Sequence, residues 1–230
     1  MCPSGGRVPV CRGTPSRPRR ARRTAAPARP TRGRALMKRN IEAFEQQELD
    51  AVIVNAAGCG AALKEYGHLL ARDPAWAERA RRFSERVQDV TAFLGTLELD
   101  PRMGTLDAVV TYQEPCHLVH AQRISEEPRR LLRAIPGLRL VEMEESAVCC
   151  GSAGIYNITE PERSGQLLDR KLAHALATQP DVIASANPGC ILQLQSGLRA
   201  RDSAVRVAHI VDLLDEAYRG FRCYSGEQED

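Results

Sequence analysis

The chain has 230 residues, 43% of them apolar and 27% charged, enough for a buried core in one or two domains. Its formal charge of +3 is unevenly placed: ten arginines and no acidic residue fall within positions 1–36, so taking those ten away leaves −7 on the rest. An acidic body argues against nucleic acid as a partner, and no stretch reaches the roughly 20 apolar residues that span a bilayer, so membrane contact is expected only through partners.

Residues 1–36 are rich in Arg, Pro, Ala and Gly. Such a stretch cannot bury enough surface to offset its chain entropy, and disorder is expected. It reads as an extension, a misassigned start or a frameshifted stretch ahead of two rivals: a basic arm for nucleic acid or anionic lipid, and a transit peptide, whose amphipathic helix the prolines oppose. Residues 37–47 have helical spacing, with Ile41 and Phe44 on one face. A buried strand over 50–55 and a helix over 60–70 follow. Asp73 and Pro74 suit a helix start, and the helix or helix pair running to 97 carries Trp76, Phe83, Val87, Val90, Phe93 and Leu94. Further strands are expected at 107–113, 138–142, 181–185 and 205–208. Helices are expected at 126–135, 161–177, 190–201 and 210–218, with a polar tail behind them. Strands alternating with helices imply a parallel, doubly wound sheet.

Two segments repeat. DAVIVNAAGCG around Cys59 and DVIASANPGC around Cys190 superpose with Asp50 on Asp181, Gly58 on Gly189 and Leu63 on Leu194. In each, a β-branched run leads through Asn and Gly to a cysteine that opens a helix, where free N–H groups and the helix dipole favour the thiolate. The expected fold is therefore α/β, with two related Rossmann-like halves and parallel sheets.

Eight cysteines without regular pairing, and no secretory apolar segment, point to a reducing, cytoplasmic setting with metal ligation ahead of disulfides. Cys149 and Cys150 are adjacent in AVCCGSAG. Neighbouring thiols bridge each other only with strain, so they point to a shared third party. Soft sulfur ligands select zinc, copper or an iron–sulfur cluster, and Gly151 and Gly154 free the backbone to wrap closely. Cys59, Cys116, Cys149, Cys150 and Cys190 each follow an expected strand. Ligands of open α/β sheets gather at strand carboxyl ends, so these five can converge. Cys2, Cys11 and Cys223 read as incidental. His117 is a ligand, a hydrogen-bond partner of a metal-bound sulfur, or a plain packed side chain; His68, His120, His174 and His209 show no zinc spacing. Asn187 and Pro188 are expected to shape the turn before Cys190, Tyr156 and Asn157 to brace the loop after Gly151, and Glu142, Glu144 and Glu145 to form a solvated approach.

From Cys116 through Cys149, Cys150 and Gly151 to Cys190 the chain spells C-x32-CCG-x38-C. With NAAGCGAALKEYGHLL, YQEPCHL, CCGSAGIYNI, NPGCILQLQSGL and HIVDLLDEAYRG, this resembles the cysteine-rich CCG domain, present twice in a heterodisulfide reductase component and in glycolate oxidase iron–sulfur subunits. The resemblance covers about residues 37–218. It implies an electron-transfer subunit in which Cys116, Cys149, Cys150 and Cys190 ligate one iron–sulfur cluster, a [4Fe-4S] centre, with zinc as the alternative metal and Cys59 as a further cofactor-binding candidate. It also implies flavin-binding partner subunits that oxidise glycolate or another 2-hydroxyacid, electrons passing towards quinone, no activity alone, and a place in the cytoplasm or at the inner face of the membrane. The rivals are a heterodisulfide-reductase-like or lactate-utilisation subunit, a zinc-bearing structural module, and a non-functional truncated product.

The sequence departs from the family pattern in three ways. Gln193 stands where the pattern ends in C-x-x-C, no ferredoxin-like C-x2-C-x2-C-x3-C run is present, and the first repeat keeps only Cys59, its own CCG being due near Pro18, Arg19 and Arg20. The expected organisation is an extension (1–36), a remnant of the first repeat (37–100), a second CCG domain (101–220) and a tail (221–230). The whole is expected to be the carboxy-terminal part of a longer subunit whose upstream end is replaced.

Overall fold

The structure, a computed structural model, describes residues 29–224. The expectations for residues 1–28, for Cys2 and Cys11, for the side chain of Cys223 and for a CCG near residue 19 lie outside the described residues. In chain order the elements are α1 (Arg29–Glu45), β1 (Val52–Val54), α2 (Ala57–Lys64), α3 (Tyr66–Leu69), α4 (Ala77–Arg86), β2 (Val87–Asp89) and α5 (Val90–Gly95). Then come β3 (Ala108–Tyr112), a π-helical turn (His117–Ala121), α6 (Glu126–Arg133), β4 (Leu138–Leu140), α7 (Tyr156–Thr159) and α8 (Pro161–Ala177). The chain continues through β5 (Val182–Ser185), α9 (Pro188–Arg199), β6 (Arg206–His209) and α10 (Ile210–Tyr224).

Two boundaries correct the sequence reading. The helix expected from Met37 begins at Arg29, so residues 29–36 are helical and not disordered. Pro30 falls in the first turn, where its missing N–H costs nothing, and the Arg, Ala and Leu that follow are good helix formers. The helix or helix pair expected to run to 97 is a pair, α4 and α5, parted by β2, where no strand was expected. Asp89 is the N-cap of α5, its Oδ1 accepting from Thr91 N at 2.8 Å and from Thr91 Oγ1 at 2.6 Å.

The chain divides into two compact units, one of residues 29–54 with Ala62–Gln88, the other of Asn55–Ala61 with residues 89–224. In the first, β1 and β2 pair, Ile41, Leu70, Ala80 and Phe83 are buried, and the rings of Phe44 and Tyr66 each lie 5.5 Å from that of Phe83.

In the second unit four strands form one sheet in the order β4-β3-β5-β6, each pairing parallel. Alternate residues feed two cores, as the two-residue strand period requires. Val182 and Ala184 face Leu131, Leu132, Ile210 and Leu213 from α6 and α10, while Ile183 faces Leu172, Leu194 and Leu198 from α8 and α9. Gly197 lets α8 and α9 approach closely, since a Cβ there would lie 2.6 Å from Leu172 Cδ1. The α/β class with parallel sheets stands as expected. The chain leaves β3 towards β4 and afterwards returns to β5 on the other side of β3, so the strand order reverses between β3 and β5. The crevice outside the carboxyl ends of two such strands is where open α/β sheets place ligands. Among the described residues no helix is long and apolar enough to cross a membrane.

Candidate metal centre

Cys116 follows β3 and Cys190 opens α9 behind β5, so these two cysteines flank the reversal point. Gln113 ties the strand ends together. Its N–H donates to Ala184 O at 2.9 Å, its Nε2 to Glu114 O at 2.6 Å, and its Oε1 accepts from Ser185 Oγ at 2.9 Å. Pro115 O then accepts from both Leu118 N and Val119 N, turning the chain sharply at Cys116 into the π-helical segment.

Glu114 joins this loop to the one that carries the adjacent cysteines. Buried to 4% exposure, it accepts from Arg129 Nη1 at 2.8 Å, Ser125 Oγ at 2.7 Å and Ser146 Oγ at 2.7 Å, and its N–H donates to Ser146 O at 3.1 Å. Burial pushes the carboxyl up, but the hydrogen bonds from Arg129, Ser146 and Ser125 and the Arg129 charge outweigh it and bring the pKa down to about 2. Arg129 also grips Glu142 through two hydrogen bonds, at 2.9 and 3.0 Å. Glu142 is exposed, as the solvated reading expects, and is paired with Arg129, whereas Glu145 is half-buried and paired with Arg170. Glu144 is solvated, its side chain 87% exposed.

Gly151 has φ +91°, and a Cβ there would lie 2.4 Å from Ser164 O. Its carbonyl accepts from buried Ser164 Oγ at 2.8 Å. Gln193 Nε2 donates to that hydroxyl at 3.0 Å, and Asn157 Nδ2 donates to Gln193 Oε1 at 3.1 Å. Asn157 thus braces the loop, as expected, and Gln193, where the family pattern has a cysteine, is a strut of the same brace. Asn187 does more than shape a turn: its Nδ2 donates to Cys190 Sγ at 3.4 Å and its Oδ1 accepts from Gly58 N at 3.2 Å.

Cys59, Cys116, Cys149, Cys150 and Cys190 all line one cavity of about 430 Å³, together with His117. All five are free thiols; Cys150 and Cys190 are buried, Cys116 and Cys149 half-buried and Cys59 exposed. Cys116, Cys149, Cys150 and Cys190 shift one another's titration in series. Hydrogen bonds from Cys116 and Cys150 hold the Cys149 thiol far below the usual thiol range. Cys190 is lowered by Cys150, against burial, and by Asn187, whereas Cys116 and Cys150 are pushed up because they keep the shared protons and are partly desolvated. Gly151 N donates to Cys149 Sγ at 3.4 Å. Soft donors, N–H groups aimed at sulfur and room between the loops fit a thiolate-bound cluster. Among the described residues no three His, Cys, Asp or Glu side chains are gathered as the shell of a single metal ion. His117 Nδ1 lies 3.8 Å from Cys116 Sγ, and His120 Nε2 is 3.2 Å from Ala147 O.

Sequence reading missed two residues of this site. Lys171, 2% exposed, donates from Nζ to Glu145 O and, at 3.0 Å, to Ser146 O. It shares the inner stripe of α8 with Ser164, Leu168, Leu172 and Ala175, a helical spacing that was readable. His209 accepts from Val211 N at 3.1 Å through Nδ1 and meets Asn55 O at 3.0 Å through Nε2, so it is the Nε2–H tautomer, fastening the start of the Cys59 loop.

The CCG cysteine-rich domain model matches residues 23–64 and 110–195. The chain is 48% identical over 189 residues to a probable glycolate oxidase iron-sulfur subunit of Bacillus subtilis, covering 80% of this chain and 43% of that protein. It is 33% identical over 189 residues to the glycolate oxidase iron-sulfur subunit of Escherichia coli, covering 81% of this chain and 45% of that one. Lactate utilization protein A of Bacillus velezensis is 32% identical over 186 residues, covering 80% of this chain and 77% of the relative. The chain therefore spans less than half the length of the first two relatives and about three quarters of the third. Two matched segments that take up more than half of the sequence and hold Cys59 in one, Cys116, Cys149, Cys150 and Cys190 in the other, make the chain a member of the cysteine-rich CCG domain family.

Proposed function

We propose that this protein is the iron–sulfur electron-transfer component of a 2-hydroxyacid oxidoreductase, with Cys116, Cys149, Cys150 and Cys190 as the thiolates that hold a [4Fe-4S] cluster. The observation that carries this reading is the meeting of these four sulfurs, from three separate loops, at the reversal point of the sheet. Such a centre supplies one-electron uptake and release. The chain's own residues hold it and exclude water. Cys150 and Cys190 anchor its buried side, the Gly151 amide and the Asn187 side chain donate to sulfur, and the Glu114 clamp keeps the Cys116 and Cys149 loops in register. Cys59 borders the cavity outside the four-thiolate set.

The names of the relatives support glycolate as the partner enzyme's substrate, since identity is 48% to the probable glycolate oxidase subunit against 32% to lactate utilization protein A. The proposal includes a flavin-bearing donor subunit, a quinone-linked acceptor, no turnover by this chain alone, and a cytoplasmic or membrane-peripheral setting. It also includes a reduced first repeat over about 37–100, followed by the second CCG domain over 101–220. Anaerobic purification of the full chain with iron, sulfide and zinc quantitation and EPR tests it. About four iron and four sulfide per chain are expected, lost in Cys190→Ser and kept in Cys59→Ser. About one zinc per chain without sulfide would overturn the reading.

A further inference from the structure

Lys171 is a buried cation, 2% exposed, held against the loop that leads into Cys149. Its Nζ donates to the carbonyls of Glu145 and Ser146, which leaves its charge uncompensated by these bonds, and among the described residues no carboxylate lies within ion-pair distance of it. A buried charge is costly unless an opposite one faces it. Desolvation lowers the ammonium's pKa, opposed first by Cys150 and then by Glu145, Cys149 and Cys190. Glu145 is already paired with Arg170, and the loop whose carbonyls Lys171 holds runs on from Ser146 into Cys149.

We infer that Lys171 is the fixed counter-charge of the thiolate-held centre, a positioning residue that raises its reduction potential while its hydrogen bonds seat the loop before Cys149. This rests on the iron–sulfur reading above. A cation fixed in a poorly solvated site favours the more negative, reduced state of whatever the thiolates hold. Lys171→Gln keeps a donor for the carbonyls and removes the charge; Lys171→Arg keeps the charge.

The test is a redox titration of the anaerobically purified full chain, followed by EPR, with iron and sulfide counted in each variant. Lys171→Gln at parental iron content is expected to shift the one-electron equilibrium at least tenfold towards the oxidised form, about 59 mV more negative, and Lys171→Arg to stay within threefold of the parent. Failure of Lys171→Gln to load while Lys171→Arg loads also supports the counter-charge. A Lys171→Gln potential within threefold of the parent, or failure of both variants to load, overturns it and leaves a packing role. A parent chain without iron and sulfide would instead overturn the reading on which the inference rests.

Discussion

Replacing Glu114 by glutamine tests whether the clamp behind Cys116 is electrostatic. Glutamine keeps the size and one acceptor oxygen but leaves Arg129, 9% exposed, with only the half-exposed Glu142 as its anion. The fall of the Glu114 pKa from 4.5 to about 2 corresponds to about 3 kcal/mol, at about 1.4 kcal/mol per pKa unit. Breaking one side of a buried pair costs about 3–5 kcal/mol in general, which agrees. The sign follows from the depressed value: the contribution is complete above the unfolded-state pKa and is lost as pH falls from about 5 towards 2. By pH 3 about 2 kcal/mol of it is gone. Urea unfolding of the two full-length proteins at pH 7 and pH 3 is the assay. A gap of about 3 kcal/mol at pH 7 is expected to close to about 1 kcal/mol at pH 3. A gap below 1 kcal/mol at pH 7, or one equal at both pH values, would refute the electrostatic reasoning and leave the serine hydrogen bonds as the tie between the loops.

Two further outcomes are expected. Gly151→Ala and Gly154→Ala both place a side chain at positive φ, but only the first meets backbone, at Ser164 O, whereas Gly154 faces open space. Gly154→Ala should cost about 1–2 kcal/mol in urea unfolding, and Gly151→Ala clearly more, with loss of bound iron; equal costs would show that the Ser164 contact is unimportant. His209 is held below its ordinary pKa by burial, against the pull of Asp212, the Asn55 carbonyl, Asp89 and the Ala186 carbonyl. Its contribution to stability is therefore present above about pH 6.5 and is lost as pH falls through the depressed folded value. An NMR titration should place its midpoint below 6.5, and His209→Gln should flatten the stability profile between pH 7.5 and 5. A midpoint above 6.5 would show that the neighbouring acids and carbonyls outweigh burial.

The alternation of strands and helices, the span of α8 and the five cysteines following strands were fixed locally, by residue spacing and turn chemistry, and were legible without coordinates. The repeat around Cys59 and Cys190 was legible too, because each copy is a contiguous strand, turn and helix start. The strand β2 between the two helices was missed, since the helical spacing of Val87, Val90 and Phe93 masks it. What the linear order could not carry is the strand order β4-β3-β5-β6, which decides that the loops of Cys116 and Cys190 flank one crevice. Nor could it show that Glu114 reaches Ser146 across 32 residues, or that Lys171 is an interior cation. Those facts depend on desolvation and on partners far apart in the chain. A charged side chain in a helical pattern has the same local signature in water as in the interior, and only the packed fold sets the dielectric around it.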